Sequence, residues 1–149
     1  FDIRGQDGLK LSDYWTDGLR TLHGFSSHGF PNCFQVGFSQ NGFSVNLTAV
    51  LDDQAQHVAY IINEIMNREA RYAHPSAEAE AEWVGTIRKL AIANTEFQEA
   101  CPPGYYNNEG DVAAARGLGA ESYSPGLNAF NKLLKEWREA GGLKGLEFH

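Results

Sequence analysis

The sequence predicts an α/β protein made mostly of three amphipathic helices with two or three short strands. Two observations predict this. Apolar residues recur at three- and four-residue spacing in three long stretches, and short apolar runs bounded by turn residues lie outside them. A third observation qualifies the class. A self-contained two-layer α/β domain alternates several strands with its helices, and this chain supplies few. Part of the sheet is therefore expected elsewhere.

The elements follow in chain order. Residues 1–46 read as loop-rich, with one strand. Phe1-Asp2-Ile3 alternates like the end of a strand, and no Met precedes it. That start suggests a piece of something longer or a processed chain; a trimmed N-terminus is the alternative. Gly5-Gln6-Asp7-Gly8 is a turn signal. Ser12 to Gly18 could make one helical turn, capped at Ser12 and stopped at Gly18. Glycines then alternate with aromatic residues up to Asn32, a pattern that packs large rings while the backbone turns. Cys33-Phe34-Gln35-Val36-Gly37 follows Pro31-Asn32 and reads as a buried strand.

Asn46 is a good N-cap, and the spacing of Leu47, Val50, Leu51, Val58, Ile61, Ile62, Ile65 and Met66 predicts a helix over 47–69. A second helix is expected over 76–100, opened by Pro75 or Ser76 and closed by Cys101-Pro102-Pro103-Gly104. Trp83, Val84, Ile87, Leu90, Ala91 and Phe97 form its apolar stripe. The Ala–Glu alternation at 77–82 reads as a solvated helix start. A third helix is expected over 125–140, capped by Ser124, lined by Leu127, Phe130, Leu133, Leu134 and Trp137, and stopped at Gly141-Gly142. Leu146-Glu147-Phe148 closes the chain as a short strand.

Composition narrows the function. At 149 residues the chain suits one domain, able to bury roughly 70% of its unfolded surface. With 42% hydrophobic and 21% charged residues it is not a disordered segment. A net charge of −7 opposes phosphate backbones, so no nucleic-acid partner is expected. No apolar stretch reaches the length of a membrane span. Cys33 and Cys101 are too few for a disulfide scaffold and fit a reducing compartment. Without a visible secretory signal, a cytoplasmic location is expected.

Strand, polar loop and helix start at 33–48 form the most suggestive arrangement. Free amides and the positive end of a helix dipole there suit a pyrophosphate, a flavin carbonyl or another anionic edge. The same arrangement is also common without a ligand. Gly37 and Gly42 satisfy neither the Rossmann glycine fingerprint nor a P-loop. His23 and His28, five apart with no Cys/His pair beside them, do not match a zinc pattern, so no metal is expected. His57, four residues after Asp53, reads as an exposed or half-buried helix residue. Cys33 reads as a small hydrophobe. Tyr105, Tyr106, Asn107 and Asn108 form an amphipathic aromatic loop that either lines a cavity or stoppers a core.

Taken in order, several of these segments resemble the C-terminal part of flavin-containing Baeyer–Villiger monooxygenases. They are GQDG at 5–8, Tyr14-Trp15, Gly18, Arg20-Thr21, HGFPNCFQVG at 28–37 and NLTAVLDDQAQHVAYII at 46–62. AEAEWV at 79–84, PGYYNNEG at 103–110 and YSPGLNAFNKLLKEWREAGGLKGLEF at 123–148 continue the series. The likeness runs over essentially the whole chain. It implies an incomplete C-terminal segment of an FAD-binding Rossmann-like domain. The activity it implies uses FAD, NADPH and oxygen to insert an oxygen atom beside a ketone carbonyl, giving an ester or lactone. The dinucleotide fingerprints would lie upstream, so the segment alone would be inactive. Its partners would be the N-terminal FAD/NADPH domains of the same protein and a small-molecule ketone, with homo-oligomers through exposed helix faces also possible.

By position, the resemblance places Gly37, Gln40, Asn46, Leu47 and Thr48 near the flavin ring, and Tyr105, Tyr106 and Asn107 on a loop closing over substrate. It assigns no catalytic residue to this chain. The family often carries Gly-Pro where this chain has Gly37-Phe38, which shifts the register by about a residue. The competing reading is a self-standing helical structural or interaction domain without catalysis.

Overall fold

The computed structural model describes residues 2–90, 102–103 and 121–149. Within them lie four α-helices and one two-stranded sheet: α1 (Leu11–Tyr14), α2 (Leu47–Asn67), β1 (Ala73–Pro75), α3 (Ala77–Leu90), α4 (Leu127–Glu139) and β2 (Leu146–Phe148). The continuation of the second helix over 91–100 and the loop bearing Tyr105, Tyr106 and Asn107 lie outside the described residues.

Helix α2 starts where the sequence predicts, because the Asn46 side-chain oxygen accepts the Ala49 N–H at 3.3 Å. It stops at Asn67, two residues early. Glu69 adopts φ 55°, its N–H donates to Met66 O and the Ala70 N–H donates to Ile65 O, both at 3.0 Å. This is a Schellman closure made with Glu in the place glycine usually takes. The predicted apolar stripe is narrower than its sequence. Val50, Ile61 and Ile65 are buried, whereas Leu47, Ile62 and Met66 face outward.

Four expectations are corrected. Cys33–Val36 joins no ladder among the described residues; the Gln35 N–H donates instead to Phe25 O at 2.8 Å. The run is only half-buried, with Val36 exposed, and its Phe34 packs on the neighbouring core without strand pairing. Pro75 belongs to β1, and Ser76 caps α3 through its hydroxyl, which accepts the Ala79 N–H at 3.1 Å. Ser124 and Pro125 form a turn before α4, and Gly126, at φ 93°, holds the N-cap position. In α1 likewise, Lys10 precedes the helix and Ser12 lies inside it. The predicted stop of α4 does form, with Gly141 at φ 70° donating its N–H to Arg138 O at 3.0 Å.

The strands β1 and β2 pair antiparallel, with Ala73 opposite Phe148, His74 opposite Glu147 and Pro75 opposite Leu146. The sheet carries one side of a core made of Ile61, Ile65 and Ala73, with Phe34, Trp137 and Phe148 packed on it. A second core joins Leu22 and Phe25 to Trp83 and Ile87 of α3 and to Phe130 and Leu134 of α4. The glycine–aromatic loop thus supplies core residues. Phe25 and Phe30 are almost completely buried, and fully burying such a ring contributes about 1.5–3 kcal/mol. Gly24 makes this path possible. It sits at φ 82°, and a Cβ there would lie 2.1 Å from Ser39 O.

Candidate functional site

The segment from Gly37 to Asn46 leads into α2. Gln54, buried on that helix, fixes it by a two-way bond: its Nε2 donates to Gly37 O and its Oε1 accepts the Gly37 N–H, each at 2.8 Å. Asn41 adds a bond from its Nδ2 to Gly37 O at 2.9 Å. The loop is therefore anchored at its first residue and capped at its last, Asn46.

Gln40 is placed differently from expectation. It is buried; its Oε1 accepts the Thr21 hydroxyl at 2.6 Å and its Nε2 donates to Leu19 O at 2.8 Å. Its backbone oxygen accepts the indole N–H of Trp83 at 3.0 Å. With both side-chain polar atoms engaged inside the chain, Gln40 holds the loop and offers no free group to a ligand. Gly37 is half-buried, and Asn46, Leu47 and Thr48 are exposed. The first-turn amides of Leu47 and Thr48 have no acceptor among the described residues, as a helix start requires.

Several apolar side chains of this segment are exposed: Val36 55%, Phe43 46%, Leu47 45% and Val45 95%. The Phe38 and Phe43 rings lie 5.0 Å apart. Asn41 Oδ1 is buried in the same loop with no donor among the described residues. Unpartnered amides at a positive helix end, in a segment that also exposes apolar side chains, suit the electronegative edge of a flat aromatic cofactor such as a flavin.

A second polar centre was hidden in the sequence. Glu80, read from the Ala–Glu alternation as a solvated residue, is fully buried. Its Oε1 accepts the Tyr14 hydroxyl at 2.7 Å and Arg20 Nε at 3.0 Å, and its Oε2 accepts the His28 N–H at 2.7 Å. The Tyr14 hydroxyl is pushed up to about 12, first by burial and then by its bond to Glu80. The same carboxylate raises the Arg20 guanidinium above its ordinary value. Arg20 also lies 5.1 Å from the centre of the Tyr14 ring. This centre ties α1 and the loop before His28 to α3.

His57 is corrected in the same sense. It is 1% exposed and lies inside the core against Phe25 and Trp137. Its Nδ1 accepts from Arg138 Nη1 at 2.8 Å, so the ring is neutral. Burial and then Arg138 lower it to about 3. Burial alone lowers His23 to about 4, edge-on to Trp83 and Trp137. Asp53, the expected partner of His57, instead accepts from Asn131 Nδ2 at 2.7 Å.

No family model matches the chain. Neopentalenolactone D synthase of Streptomyces avermitilis is 44% identical over 147 residues, covering 99% of this chain and 25% of that protein. A Baeyer–Villiger monooxygenase of Streptomyces coelicolor is 42% identical over 138 residues, covering 92% of this chain and 22% of that protein. Among solved structures, polycyclic ketone monooxygenase from the thermophilic fungus Thermothelomyces thermophila superposes with a TM-score of 0.86 at 33% identity, over 99% of this chain and 24% of that one. Over nearly its whole length the chain is homologous to one part of the Baeyer–Villiger monooxygenases. It spans about a quarter of the length of the curated relatives it matches.

Proposed function

We propose that these 149 residues are the C-terminal part of a flavin-dependent Baeyer–Villiger monooxygenase and close one side of its FAD site. The observation that carries this reading is the unpartnered start of α2, beside a loop that exposes apolar side chains, in a chain homologous to such enzymes over 99% of its length. The Leu47 and Thr48 amides would face the flavin, with Asn46 holding the helix start and Gly37 the loop. Gln40 would act behind them, as the brace that keeps the loop in register. Bound FAD, reduced by NADPH, supplies the oxygen-inserting chemistry toward a small ketone.

This chain's own share is to position and to exclude water. Val36, Phe43 and Val45 would pack against the upstream FAD and NADPH domains of a Rossmann-like assembly. Tyr105, Tyr106 and Asn107 would border the substrate. No helix among the described residues is long and apolar enough to cross a membrane, and a cytoplasmic location accords with the cysteine usage. Outward-facing Ile62 and Met66 on α2 offer a face for self-association.

The test is direct. The full-length gene product should carry the visible absorbance of bound flavin and oxidise NADPH in the presence of a ketone; absence of both refutes the reading. The isolated segment should retain no FAD, since the pyrophosphate cradle is not in it. Stoichiometric flavin binding by the segment alone would refute that expectation.

A further inference from the structure

We propose that His28, His74 and Glu147 form a binding site for a transition-metal dication of the zinc class. This inference is independent of the flavin reading. His74 is the central residue of β1 and Glu147 is its direct partner across the sheet, so the two side chains stand on one face at cross-strand distance. His28 reaches the same point from the loop after Ser27, its ring edge-on to His74 with centroids 5.2 Å apart. One ring nitrogen of each histidine and a carboxylate oxygen of Glu147 all lie within 4.8 Å of one another.

The hydrogen bonds select the ligating atoms. Nδ1 of His28 and Nδ1 of His74 both meet Pro75 O, at 2.8 and 3.0 Å. A carbonyl oxygen only accepts, so each Nδ1 carries a proton and each Nε2 keeps a free lone pair. A histidine whose second nitrogen donates to a backbone carbonyl is the usual supporting arrangement of a metal-bound imidazole. His28 is held from behind as well, because its N–H is bound by the buried Glu80 carboxylate at 2.7 Å.

Bonds of about 2.0–2.1 Å in a tetrahedral site put neighbouring ligand atoms roughly 3.4 Å apart. Glu147 is exposed and can close that gap by side-chain rotation. Its Oε2 has the His149 ring nitrogen 4.0 Å away, and that ring lies stacked on His74 with centroids 5.5 Å apart. Two imidazoles and one carboxylate suit zinc and its neighbours, whereas calcium and magnesium prefer all-oxygen shells. Three protein ligands leave one position to water.

The sequence reading missed this site because His28, His74 and Glu147 have no metal-ligand spacing. They converge only through the pairing of β1 with β2.

The experiment is titration of zinc(II) into the chelator-treated full-length protein by calorimetry, with zinc-edge X-ray absorption on the complex. The expected result is one zinc per chain in a nitrogen and oxygen shell with imidazole scattering. Glu147→Ala and His28→Gln should each weaken binding at least about tenfold. Glu147 is exposed, so its variant keeps the fold and reads the site alone. No binding by the native protein, unchanged affinity in Glu147→Ala, or sulfur in the zinc shell would overturn the proposal.

Discussion

Replacing Glu80 tests how the loop-rich first part of the chain is held. Three donors converge on one fully buried carboxylate: the Tyr14 hydroxyl, Arg20 and the His28 N–H. Hydrogen bonds to a charged group contribute about 1.5–3 kcal/mol each. Arg20 is 44% exposed, so water replaces much of its share. The buried cost falls mainly on Tyr14 and His28. Glu80→Gln keeps the shape but sets an amide N–H against one of the donors, and should cost about 2 kcal/mol. Glu80→Ala also leaves a void, and should cost about 3–5 kcal/mol.

Urea unfolding followed by tryptophan fluorescence reads the effect, because the Trp15 indole donates to Arg20 O and Ser27 Oγ in the affected loop. Hydrogen exchange at the His28 amide gives a local readout and should accelerate in both variants. The Tyr14 titration should fall part of the way from about 12 toward 10, since burial, its larger cause, remains. Stability of Glu80→Ala within about 0.5 kcal/mol of the native chain, with native exchange at His28, would refute the reasoning.

Two further outcomes are expected. His23 and His57 are held near 4 and 3, below the ordinary 6.5. The unfolded chain therefore takes up protons that the folded one refuses. Stability is whole above about pH 6.5 and is lost as pH falls toward those folded values, by about 2 kcal/mol per histidine between pH 7 and 5. Urea midpoints across that range measure this, and His57→Gln should flatten the slope; a slope unchanged by the substitution would show that other groups set it. Gly24→Ala should cost several kcal/mol, read as a lowered melting temperature, because a Cβ would meet Ser39 O at 2.1 Å with φ held at 82°.

Some of this was legible in the sequence and some was not, for physical reasons. The start of α2, the stop of α4 and the strand at Leu146–Phe148 depend on local chemistry: a capping asparagine, a glycine with positive φ, a short apolar run. Those signals lie within a few residues of the element they set. Glu80 is different. Its partners Tyr14 and Arg20 lie 66 and 60 residues away, and a glutamate among alanines looks solvated until they arrive. His57 was misread for the same reason, since its partner Arg138 comes from α4. In the candidate site, Asn46 was readable from cap chemistry, while the internal engagement of Gln40 depends on Thr21 and Leu19 folding back. The metal ligands needed a strand register that no local pattern encodes.

The pairing of β1 with β2 also sets an order of events during synthesis. Ala73, His74 and Pro75 leave the ribosome long before Leu146, Glu147 and Phe148. Contacts between such distant stretches form late, because a long loop must close first. Until then the edge of β1 stays open and the cluster of Ile61, Ile65 and Ala73 lacks its cover from Trp137, Leu146 and Phe148. A nascent chain halted short of β2 would therefore present an uncovered apolar surface, the kind that chaperones bind.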